Sequence, residues 1–183
     1  VADPLAVTPE LLAAKRQNTV ALADPEVERA EALRRELAEA LNTALDTRAS
    51  LGERHRAFVR IRDAGEWDPG MVPFLLDVLQ RDPSVWMKRD AIAVLSRMGD
   101  RRAVPALAAI LERPIAGRID RDEDEEEAQL RRDAAVALGN AGDSGALPLL
   151  RRIAESEAEY ASVREYAAMA IRKIEARAAA REH

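Results

Sequence analysis

Cysteine is absent from the 183 residues, so neither disulfides nor thiolate zinc sites are available, and the redox compartment stays open. Histidine occurs only as His55 and the terminal His183. From that supply neither a catalytic triad nor a multi-histidine metal site is expected, and helical-repeat hydroxylases that hold iron with His-Glu pairs are excluded on the same ground. Aromatic residues make up 3% of the chain against 48% hydrophobic residues. The core must therefore be built from Ala, Leu, Val, Ile and Met, which suit closely packed helices better than sheets. No apolar run approaches the length of a membrane span, and no basic region followed by an apolar one opens the chain. The expectation is a soluble protein of the cytoplasm, or of the periplasm if a signal or anchor segment was removed ahead of Val1.

Glycine is also sparse, and no glycine-rich phosphate loop appears. The eight glycines are scattered at expected helix ends, and Gly139 and Gly142 lack the strand and helix context such a loop needs. Net charge is -5, but the run DRDEDEEE at 120–127 carries -6 of it and leaves the rest of the chain near +1. Arginine greatly outnumbers lysine, which fits the base composition of a genome as readily as bidentate surface recognition.

What the sequence does contain is repetition. KRDAIAVLSRMGDRRAVPALAAIL at 88–111 returns as RRDAAVALGNAGDSGALPLLRRIA at 131–154, and such internal similarity marks a stack of supersecondary units. Gly65, Gly99 and Gly142 fall in register where a first helix ends, the position at which positive φ costs least. Ahead of them Ala57, Ala91, Ala134 and Ala167 share one column, and Ile61, Leu95, Leu138 and Ile171 another. The four-residue offset puts both columns on one helical face. A second helix enters through Pro73, Pro105 and Pro148, which fit a first turn, with Asp100 and Asp143 placed to cap it. The middle interval between units is longer by the insertion at 114–126.

This pattern, Arg followed by Ala-Ala-x-Ala-Leu, then Gly-Asp and a Pro-containing Leu-rich helix, resembles HEAT-like repeats of the short phycobilisome-lyase type. The closest stretch is LRRDAAVALGNAGDSGALPLL at 130–150. The resemblance implies an all-α fold: an α-solenoid of stacked antiparallel helical pairs, a right-handed HEAT/armadillo-like superhelix. Pairs are expected near 51–81, 83–113 and 123–156, with a final helix over 158–181. Residues 1–50, with apolar positions from Val27 to Leu45 along one stripe, read as an N-terminal helical cap or an irregular first pair.

In such a stack the second helices are expected to line the binding face. Aligned on their prolines, Val78, Ile110 and Ile153 fall inward while Gln80, Glu112 and Glu155 fall outward. Asp77, Arg81, Arg113, Arg151 and Arg152 complete a face of mixed charge that suits a protein or peptide better than a phosphate backbone. Asp120, Asp122 and Asp124 of the acidic run join them as docking candidates for a basic partner. The same acids open like a calcium loop, but Glu125 stands where Gly is needed and Arg131 where Glu is needed, so no metal is expected. Trp67 and Trp86 invite comparison with base glycosylases. The second-helix columns lack a basic stripe, so no nucleic acid is expected and Trp86 is placed beside the repeat junction. His55, in the column of Arg89 and Arg132, reads as an exposed helix position.

The functional expectation is a non-catalytic protein-interaction scaffold or adaptor, without cofactor, favoured as a monomer. The alternatives are an enzyme-like helical-repeat protein, analogous to a chromophore lyase or a DNA-base glycosylase, or a regulatory domain of a longer chain.

Overall fold

A computed structural model describes residues 24–65, 67, 69–115 and 125–181. Its helices are α1 (Pro25–Leu45), α2 (Leu51–Ala64), α3 (Val72–Arg81), α4 (Val85–Met98), α5 (Val104–Glu112), α6 (Glu125–Ala141), α7 (Leu147–Glu155) and α8 (Ala161–Ala179). No strand occurs among the described residues, and the fold is an all-α solenoid of stacked helical pairs. Two compact units divide the chain, residues 1–39 and 40–183, so that α1 ends in the second. None of the helices is long and apolar enough to cross a membrane among the described residues.

Each first helix starts and stops for local reasons. Ser50 caps α2 in a reciprocal capping box with Glu53, and Ser84 accepts from the Met87 amide at the start of α4. Gly65, Gly99 and Gly142 follow α2, α4 and α6 with φ of 71°, 62° and 67°. A β-carbon there would be strained, which stops the helix and turns the chain. Asp100 and Asp143 then accept from the amides of Arg102 and Gly145, each closing a single 3-10 turn before the second helix rather than capping that helix itself. Pro73, Pro105 and Pro148 occupy the first turns of α3, α5 and α7.

The Ala column is buried in all four first helices, as are Ile61, Leu95 and Leu138, while Ile171 is half-buried. Small residues let neighbouring first helices approach closely. At Gly139 a β-carbon would lie 2.9 Å from the Ala170 Cα, so this glycine sits inside α6 for contact with α8 and not at a helix end as the sequence suggested. In the first pair Phe58 stacks on Phe74 with centroids 5.9 Å apart.

Two buried arginines join successive pairs. Arg131 is 2% exposed. It uses every donor: Nε and Nη2 to the Glu159 carboxylate, Nη1 to the carbonyls of Ile110 and Arg113, and Nη2 also to that of Leu111. The guanidinium thus ties α6 to the carbonyl end of α5 and to the turn that starts α8. Arg54 holds the equivalent place, donating to the Ala44 carbonyl and to Asp82. Asp82 and Glu159 in turn accept from the amides of Ser84 and Tyr160.

Removing one partner of a buried pair strands the other charge, at a cost of about 3–5 kcal/mol. Arg131→Met is expected to lower the free energy of chemical unfolding by about that amount, and Arg131→Met with Glu159→Leu to regain most of it. A double variant as unstable as the single one would remove the pair from this role. Gly139→Ala is expected to cost about 1–3 kcal/mol in the same assay through overpacking against Ala170, despite alanine's better helix propensity.

Candidate functional site

Stacking sets the outward faces of α2, α4 and α6 side by side, and a groove of about 550 Å³ runs across them. Its lining begins at His55, whose Nδ1 lies 2.6 Å from Oδ2 of Asp90. The imidazole is 44% exposed and the carboxylate 14%, so the ring edge that bears Nε2 is the one left for a ligand. Burial pushes the Asp90 carboxyl above its ordinary range, opposed by the hydrogen bond and charge of His55 and by the charges of Arg62 and Arg89. Arg89 continues the row: Nε meets Asp133 at 2.8 Å, Nη1 donates to Gln129, and the guanidinium lies 5.5 Å from the centre of the Trp86 ring. Farther along, Asn140 donates to Ser96 at 2.6 Å.

A histidine whose Nδ1 faces a carboxylate is held in one orientation and presents Nε2 for proton transfer. Arg62 and Arg97 line the same groove and can balance negative charge on a ligand. Trp86, expected beside the repeat junction, is 51% exposed on this wall. Among the described residues no group of three or more His, Cys, Asp or Glu is arranged to hold a metal.

The residues selected from the sequence lie elsewhere. Asp77 and Arg81 pair along α3 at 3.1 Å, and Glu112 of α5 meets Arg152 of α7 at 3.5 Å. Arg151 pairs with Glu175 of α8 at 2.9 Å. Glu112, Arg113 and Arg152 border a hollow of about 370 Å³. Gln80 and Glu155 are exposed at positions equivalent to Glu112. Asp120, Asp122 and Asp124 lie outside the described residues. His55 and Asp90 were not selected, although the repeat register held the signal: 55 aligns with 89, so stacking puts 55 beside 90.

Comparison with known proteins identifies the repeats. The family described as PBS lyase HEAT-like repeat matches residues 87–113 and 130–156. No curated protein matches the chain. Among solved structures, human deoxyhypusine hydroxylase in complex with glycerol is similar, with a TM-score of 0.58 and 25% identity. The likeness covers 80% of this chain and 46% of that one, so the chain spans about half the length of the enzyme it matches.

That likeness overturns the expectation that the chain is not an enzyme, because its framework is similar to an enzyme's. One histidine suffices for acid-base chemistry when a carboxylate holds it, as Asp90 holds His55. Arg56 rather than Glu follows His55, so His55 does not open a His-Glu pair of the kind that holds iron.

Asp90 also has a pH signature. A carboxyl raised in the folded state contributes stability that is full below its unfolded value and is lost as pH rises through the folded one. Relative to Asp90→Asn, which cannot titrate, the parent is expected to lose unfolding free energy as pH climbs above 3.8, the ordinary value. Urea unfolding across that range checks this, and a constant difference between the two proteins would contradict it.

Proposed function

We propose that this chain, built of PBS lyase HEAT-like repeats, is an enzyme-like helical-repeat protein that binds a polar ligand in the groove across α2, α4 and α6. His55, oriented by Asp90, transfers a proton to or from that ligand. The observation that carries this reading is the 2.6 Å pairing of His55 with a largely buried carboxylate on the wall of a groove. Likeness to a hydroxylase's framework supports catalysis on this scaffold, while the reaction itself is read from these side chains alone. Arg97, which joins no ion pair among the described residues, offers its charge to the anionic part of the ligand or to charge that develops on it.

A panel of chromogenic carboxylic and phosphoric esters, read for turnover, tests the reading. For any ester turned over, His55→Gln is expected to lower kcat/KM by about 10²–10⁴, the usual worth of a positioned acid or base. Asp90→Asn is expected to lower it less and to move the pH profile. Absence of turnover, or equal turnover by His55→Gln, would contradict the proposal.

A second reading, in which a protein or peptide partner binds the second-helix face, is favoured by the exposed row Gln80, Glu112 and Glu155. Asp77, Arg81, Arg113, Arg151 and Arg152 would border that contact. Reversing charge with Glu112→Arg and Glu155→Arg is expected to release such a partner in an affinity capture while leaving ester turnover unchanged.

A further inference from the structure

A second hollow, of about 650 Å³, lies where α4, α6 and α8 end, and it is lined by Arg97, Arg101, Lys173, Arg177 and Arg181. No carboxylate belongs to its described lining. This is unusual for the molecule, whose net charge is -5. Nearby cations are neutralised: Arg62 pairs with Asp63, Arg89 with Asp133 and Arg102 with Asp100. None of the five cations in the hollow joins an ion pair among the described residues. Lys173 and Arg177 donate instead to the side chain and carbonyl of Asn140, and Arg97 to the carbonyl of Arg62.

Helix ends account for only part of this gathering. Each C-terminus carries about -0.5 of a charge, so three of them offset less than half of the five positive charges. The remainder repel one another unless an anion sits between them.

We infer that this hollow binds a ligand carrying two or more phosphate groups. Four of its five cations are arginines, whose planar forks engage phosphate oxygens in bidentate fashion. Ser96 adds a neutral donor: its oxygen accepts from Asn140, which leaves the hydroxyl proton to give. Cations from α4 and the turn after it, and from α8 and its C-terminal end, face one open volume, which suits several anionic groups better than a single one. The hollow needs no proton transfer at His55, although it shares Ser96, Arg97 and Asn140 with the groove.

Titration calorimetry with pyrophosphate and with citrate, anions of similar charge near neutrality, tests the inference on the full chain. Saturable pyrophosphate binding is expected, tighter than citrate binding and weakened by added salt. Arg101 and Arg181 are exposed, so Arg101→Gln with Arg181→Gln leaves the fold intact, which thermal unfolding verifies, and weakens binding at least about tenfold. Arg81→Gln with Arg151→Gln removes the same charge from the second helices and leaves affinity within about twofold, as does His55→Gln. No saturable binding, equal losses in the two double variants, or citrate binding as tightly as pyrophosphate would each overturn the inference. Loss of binding in His55→Gln would overturn the separation of the two sites.

Discussion

The Arg131 guanidinium is the constraint on which the stack depends. Its donors are all engaged, on three carbonyls at the end of α5 and on the Glu159 carboxylate ahead of α8, so one side chain fixes three successive segments at once. Helical pairs with small, apolar contact surfaces can slide along one another at little cost, whereas a planar fork with fixed acceptors cannot. Arg54 repeats the arrangement one end of the stack away, with Ala44 and Asp82 as acceptors. Both acids also hold a backbone amide of their own turn, which couples each ion pair to the start of the next first helix. Such pairs serve register better than net stability, since well-packed apolar replacements are often as stable.

With register fixed, chemistry divides between the two sides of the repeats. First helices are long and meet through Ala and Gly, so their outward faces lie close enough for side chains of successive units to pair. His55 reaches Asp90, Arg89 reaches Asp133, and Lys173 reaches Asn140. Second helices are short and carry mostly exposed polar ends, with Glu112 and Arg152 as a link between neighbours. The first-helix side is therefore the better-organised surface, with ion-paired side chains in the groove around His55 and unpaired cations in the second hollow at the helix ends.

Much of the fold was legible because the signals are local. Glycine at positive φ and proline in a first turn each act within a few residues, so Gly65 and Pro73 could be read one repeat at a time. The candidate site was less legible because it exists only between repeats. His55 alone reads as a surface residue, and Asp90 alone as a helix acid; their meeting needs the stacking register. Arg131 was assigned a place in a rejected calcium loop, although it lies three residues before its Ala column, as Arg54, Lys88 and Arg164 do before theirs. A basic residue recurring at one position beside an apolar column marks a buried clamp as well as a solvated face. Gly139 was misplaced for a related reason: a glycine inside a helix is explained by what crosses it, here Ala170.

Buried arginine clamps hold successive repeats in one register and so present the first-helix groove. Native-state amide hydrogen exchange in the parent and in Glu159→Gln tests it most directly, because the substitution removes an acceptor while preserving shape. Protection in α5, α6 and α8 is expected to fall together and by a similar free energy. Loss confined to the turn around Glu159, with those helices unchanged, would contradict it.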